Sequence, residues 1–249
     1  MMLKLIFLVV AGVISGVLES TVGLASLVAY PAMLLAGFAP IVANVTNTVG
    51  FAFSDSSAIL ASQKELKGQS KIIMKVIVFA GIGTIIGSLI LLNSSNKSFE
   101  NVAPIIIMIS GILMLLPKSQ RQLTETHMTW FGKIITAIAL VLVGMYLGYF
   151  GAGGGVMLIA ILLRAVNQPY AICNAIRNFV SLILNWISAV IFMFTMPINW
   201  VALIAITIGL LVGGYIGPSI VRHIPSKIMK YGVGIGAVVL AICLGIKTY

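Results

Sequence analysis

Charge is the scarcest property of this chain. Five acids and fifteen lysines and arginines are spread over 249 residues, with two histidines and two cysteines. Charged residues make up 8% of the total and hydrophobic ones 60%, and the mean hydropathy is +1.16. No soluble domain of this size has enough interior to hide that much apolar surface. The shortage therefore excludes the soluble classes and leaves an all-α polytopic membrane protein. Cys173 and Cys243 lie far apart, each within an apolar segment, and read as small packing residues. His127 sits in a polar loop without a second ligand nearby, so neither a metal nor another cofactor is expected. No Ser/His/Asp set stands at membrane depth, and no Lys-Ser/Thr pair follows the glycines of 148–155 to make a phosphate loop. An enzyme is not expected.

The net charge of +10 would suit nucleic acid in a soluble protein. Here the basic residues fall in short loops between apolar spans, the pattern of positive-inside topology, and no nucleic-acid partner follows. The apolar run from Leu3 continues far beyond the length of a signal-peptide core, so it is expected to stay in the mature protein.

Apolar segments fall near 3–38, 41–62, 71–92, 101–117, 133–166, 169–194, 198–217 and 227–247, with a polar linker at 118–132. Most have the length of one crossing, about 20 residues. The first and fifth are too long. As one helix, residues 134–163 would reach roughly 45 Å, against a hydrocarbon core of about 30 Å. Glycine costs about 1 kcal/mol relative to alanine inside a helix, and residues 148–155 read Gly-Tyr-Phe-Gly-Ala-Gly-Gly-Gly. A break at membrane depth is tolerated only within protein or beside a polar cavity. Two half-length helices forming a re-entrant hairpin are therefore expected in each long segment.

Charge placement favours that arrangement. If all eight segments cross, nine basic residues fall on one face and five on the other. If the first and fifth are hairpins, one face keeps Lys4, Lys97 and Lys247 and the other receives the remaining eleven, with Arg177 inside a span and not counted. The second split is the stronger positive-inside asymmetry. Each half, 1–117 and 133–249, then holds one hairpin and three crossings. An odd number of crossings inverts the second half relative to the first, the inverted-repeat plan of many secondary transporters. Internal similarity agrees. Gly12, Gly16 and Gly23 precede Gly144, Gly148 and Gly155 by 132 residues, and Asn44, Thr48 and Asp55 precede Asn174, Asn178 and Asn185 by 130.

Arg177 lies well inside the sixth segment, where an arginine costs roughly 2.5–3.5 kcal/mol on insertion scales and usually faces a partner or an aqueous cavity. Its planar fork of donors suits an oxyanion; a structural pair with Glu19 or Asp55 is the plainer alternative. After each break a half-helix starts, near Gly23 and near Gly155, and Gly153 and Gly154 belong to the second tip. Free N–H groups at such starts bind anions. Asn44, Asn47 and Thr48 share one helix face at i, i+3 and i+4, and Asn174, Arg177 and Asn178 repeat that spacing. Two such stripes predict facing walls of one cavity. Glu19 and Asp55 are acids inside apolar segments and are candidate carriers of a coupling proton. Glu19 could instead neutralise Arg177 when the solute is absent. Trp130 and Trp200, at segment edges, read as interfacial anchors.

The expected function is thus secondary transport of a small anion by alternating access. The partners are that anion, the bilayer and a coupling proton or sodium ion, with a homodimer as a further candidate. Two alternatives remain at this point: a carrier of cations that uses Glu19 and Asp55, and an assembly subunit without transport activity.

The glycine-rich break in the first helix of each half, the following Pro31, and the helix Pro-Tyr-Ala-Ile-Cys-Asn-Ala-Ile-Arg-Asn of the second half resemble the sulfite exporter TauE/SafE family, also called toluene sulfonate uptake permeases. The resemblance covers essentially the whole chain, and Gly148 through Gly155 is its most specific part. It implies a bacterial cytoplasmic-membrane carrier of sulfite, a sulfonate or a related organic acid. The first half departs from the pattern: Leu18-Glu19-Ser20-Thr21-Val22-Gly23 replaces the glycine string and places an acid at the tip.

Overall fold

The computed structural model describes residues 2–115, 130–151, 154–166 and 168–223, together with isolated positions between 231 and 246. The expected linker 118–132, the helix 227–247, His127 and Gly153 fall wholly or largely outside the described residues. Every element among those described is helical.

The helices are α1 (Met2–Val22), α2 (Ser26–Leu35), α3 (Pro40–Ala61), a single turn α4 (Gln63–Leu66), α5 (Ser70–Leu92), α6 (Asn96–Leu115), α7 (Trp130–Tyr149), α8 (Gly154–Ala165), α9 (Tyr170–Thr195) and α10 (Trp200–His223). Five helices are long and apolar enough to cross a membrane: α1, α5, α7, α9 and α10. α3 has crossing length too, with 22 residues, but its Asn, Thr, Ser and Asp side chains make it more polar. Isoleucines and phenylalanines such as Phe79, Ile82 and Ile86 stand exposed on the outer faces, as a lipid-facing surface requires. Trp130 and Trp200 are also exposed, each at a helix start.

Both long segments break at a glycine in the left-handed region, Gly23 with φ 77° and Gly151 with φ 76°. Any other residue would be strained there. The legs are unequal, which corrects the expectation of two half-length helices. α1 has 21 residues and α7 has 20, a full crossing of about 30 Å each, whereas α2 and α8 have only 10 and 12. The glycine that permits the turn lies just past the middle of each segment, and the first leg has the length of a crossing while the second does not. α2 doubles back along α1: Lys4 Nζ donates to the Ala36 carbonyl at 3.1 Å, joining the start of one leg to the end of the other. Similarly, α8 packs Leu158, Ile159 and Leu162 into one cluster with Leu140 and Val143 of α7.

The long helices pair through small residues. α1 lies along α10 and α7 along α5. A methyl group on Gly12 or Gly16 would run into the carbonyls of Ile206 or Leu210, and one on Gly144 or Gly148 into those of Ala80 or Thr84. Backbones approach this closely in membranes where glycine removes the side chain between them. α3 and α9 pack against each other between these pairs, with Phe53 meeting Trp186 edge-on at 5.2 Å.

Candidate functional site

The two breaks meet. A Cβ on Gly155 would lie 2.6 Å from the Gly23 Cα, and a Cβ on Gly23 would lie 3.0 Å from Nη1 of Arg177. Glycine at both positions lets the two turns touch and lets the guanidinium reach them. α9 then fastens the first break from the side. Asn174 and Asn178 each donate an Nδ2 hydrogen bond to the Ser20 carbonyl, at 2.8 and 3.1 Å. Tyr170 donates its hydroxyl to the Thr21 carbonyl at 3.0 Å. These carbonyls belong to the last turn of α1, where no intrahelical N–H remains to satisfy them.

Arg177 is fully buried. Its Nη1 donates to Glu19 Oε1 at 3.0 Å and its Nη2 to Asn174 Oδ1 at 2.8 Å, while Nε has no partner. The other Glu19 oxygen, Oε2, accepts the backbone N–H of Ala25 at 3.3 Å, immediately before α2. One carboxylate therefore lies between a guanidinium and the positive end of a short helix, both of which favour a negative charge.

The other candidates fall elsewhere. Asn44 Nδ2 donates to the Tyr149 carbonyl at 3.2 Å, so α3 fastens the second break as α9 fastens the first. Asn47 is buried, with neither amide atom hydrogen-bonded. Thr48 returns its hydroxyl to the Asn44 carbonyl within its own helix, at 2.9 Å, rather than reaching outward. Gly154 starts α8, and its N–H bonds to the Gly151 carbonyl at 3.1 Å. Asp55 is fully buried and accepts a 2.8 Å hydrogen bond from Asn185 Nδ2. The structure thus brings Glu19, Gly23, Gly155, Asn174, Arg177 and Asn178 to one junction. Asn44 is placed at the other break, and Asp55 at a separate α3–α9 contact.

Sequence reasoning missed four participants: the Ser20 carbonyl, the Thr21 carbonyl, the Ala25 N–H and the Tyr170 hydroxyl. The first three are backbone groups with no sequence signature. Tyr170 follows Pro169 at the start of α9, and only the packing of that start against α1 reveals its role. Among the described residues no group of three or more His, Cys, Asp or Glu side chains converges as a metal site would require.

A profile of the sulfite exporter TauE/SafE family matches residues 8–244. The chain belongs to this family. Three bacterial relatives agree, each named a probable membrane transporter protein. The Haemophilus influenzae protein is 25% identical over 216 residues, which cover 84% of this chain and 82% of the relative. ORF9 of Sinorhizobium sp is 23% identical, over 96% of this chain and 92% of its own length. YunE of Bacillus subtilis is 24% identical, over 90% and 91%. No solved structure matches. As a TauE/SafE family member with several membrane-length apolar helices, the protein is a multi-pass membrane transporter.

Proposed function

We propose that this TauE/SafE protein is a secondary carrier that moves a small anion across the cytoplasmic membrane by alternating access, with the anion displacing Glu19 from Arg177. The observation that carries this reading is the double engagement of the Glu19 carboxylate, one oxygen on Arg177 and the other on the N–H before α2. Both groups are anion ligands, and an internal carboxylate occupies them. A sulfite, sulfonate or carboxylate has the same set of acceptor oxygens. Arg177 Nε, buried and unpartnered, offers a third donor that Glu19 leaves unused. The name of the family supports sulfite or a related organosulfur acid as the solute.

An inverted repeat accounts for the packing. Under the internal offset of about 130 residues, α1 corresponds to α7 and α5 to α10, so the α1–α10 and α7–α5 pairs exchange. Gly23 and Gly155 correspond and touch, and Asp55 and Asn185 correspond and bond. In this reading each half is a hairpin followed by three crossings, and rocking of one half against the other opens the junction to alternate sides.

The test is a thermal-shift series on purified protein with sulfite, thiosulfate, sulfoacetate, taurine and matched carboxylates. The same series is run on Arg177→Lys, which keeps the charge and loses the planar fork. Stabilisation by one anion in the wild type that is lost in R177K supports the reading. Equal stabilisation of both proteins removes Arg177 from the site.

A further inference from the structure

We infer that Asp55, with Asn185 across the α3–α9 contact, is a proton-binding site separate from the Glu19–Arg177 junction, and that it couples transport to a proton gradient. The inference rests on the anion-carrier reading and assigns its coupling group.

The two buried acids differ in what they face. Glu19 has a guanidinium on one oxygen and a backbone N–H on the other. Asp55 has only the Asn185 amide, on Oδ2, while Oδ1 is buried without any hydrogen-bond partner. Among the described residues no basic side chain makes an ion pair with Asp55, because Arg177 is engaged by Glu19. A carboxylate buried without an ion-pair partner is costly in its ionised form, and proton uptake relieves that cost. Proton uptake at Oδ1 removes the charge. A metal ion would need several more oxygen ligands than this contact offers.

Among the described residues, the charged groups that face Asp55 are Glu19 and Arg177. Of the elements against α3, α1 contributes Glu19 and α9 contributes Arg177, both near enough to act on Asp55 electrostatically. α10 meets α3 with Thr207, Ile206 and Leu210 beside Gly50, and with Gly214 beside Ser54 and Ser57; none of these is ionisable. α2 brings Tyr30, whose ring packs on Phe150 and Phe99. α6 meets the far end of α3, where Asn96 Oδ1 accepts the Ile41 N–H.

The position suits coupling. Asp55 and Asn185 occupy corresponding places in the two halves, 130 residues apart, so their bond crosses between the parts that move in alternating access. An ionised Asp55 holds the Asn185 amide as an acceptor. A protonated Asp55 gains a donor at Oδ1, and the contact can re-form with a different partner. The proton comes from water on the open side, adds to Oδ1 and returns to water on the other side, so no further reactant is needed.

The primary test does not depend on the solute. Infrared spectra of purified protein across a pH series should show a protonated-carboxyl band that shifts in D2O. Asp55→Asn, which is isosteric, should remove the band, and Glu19→Gln should keep it. In proteoliposomes with sulfite as probe, a gradient of one pH unit should drive up to about tenfold accumulation for one proton per anion. Asp55→Asn should abolish this accumulation while leaving sulfite exchange intact. A band that survives in D55N, or that disappears in E19Q instead, overturns the inference. Absence of sulfite transport in the wild type would count against the anion reading alone, since the band still reports on Asp55.

Discussion

Glu19 and Arg177, 158 residues apart in the chain, meet at 3.0 Å in the protein interior, with the guanidinium fully buried. The pair joins the break after α1 to the first third of α9. It also dictates how either residue can be altered.

Removing one partner leaves the other charge buried and uncompensated. Arg177→Ala is therefore expected to destabilise the protein by about 3–5 kcal/mol, whereas the double substitution Arg177→Gln with Glu19→Gln costs much less. Thermal unfolding in detergent checks this. A double variant less stable than Arg177→Ala would show that the pair is not a unit.

Glu19→Gln alone removes the internal competitor for Arg177. If the anion must displace that carboxylate, its apparent affinity rises in the variant, because a larger fraction of the protein is competent to bind. Calorimetric titration with sulfite should give a lower Kd for E19Q than for the wild type. A higher Kd would mean that Glu19 helps hold the anion rather than competing with it.

The contact between Gly23 and Gly155 leaves no room for a methyl group on either side. Gly155→Ala isolates the clash, since that residue has no positive φ. Gly68→Ala provides the opposite control, a φ of +79° in open space. The control should cost only about 1–2 kcal/mol of backbone strain. Gly155→Ala should separate the breaks and abolish transport, as measured by uptake in vesicles and by the melting temperature. Normal uptake by G155A would mean that the breaks need not touch.

Orientation follows from the charges. In a background with Cys173→Ser and Cys243→Ser, single cysteines at Gly37 and Ser94 should react with an impermeant maleimide from outside the cell. One at Gly68 should react only after the membrane is opened. Labelling of Gly37 and Gly68 from the same side would show that α3 does not cross.

The break positions were legible in the sequence, because a glycine cluster weakens a long apolar helix at a depth where lipid supplies no water to the freed backbone. Helices α3, α5 and α9 begin and end within a residue of the expected bounds, since Pro40, Lys71 and Pro169 punctuate the apolar pattern. The lengths of the hairpin legs were not legible. Glycine marks where the chain can turn, but the packing of α1 along α10 and of α7 along α5 decides how much of each segment crosses first. The roles of the polar stripe were also partly hidden. Asn44 and Thr48 share a helix face, yet one caps the second break and the other bonds back to its own helix.

Composition and periodicity by themselves determined that this chain is a helical membrane protein with two broken segments, because hydrocarbon leaves so few ways to satisfy the backbone. They also singled out Arg177 and Glu19, since charges at that depth are costly enough to be conspicuous. Only the tertiary structure decided that these two residues bind each other and that Asp55 instead meets Asn185. Pairing depends on which helix faces meet across more than a hundred residues of chain, and no local pattern encodes that distance.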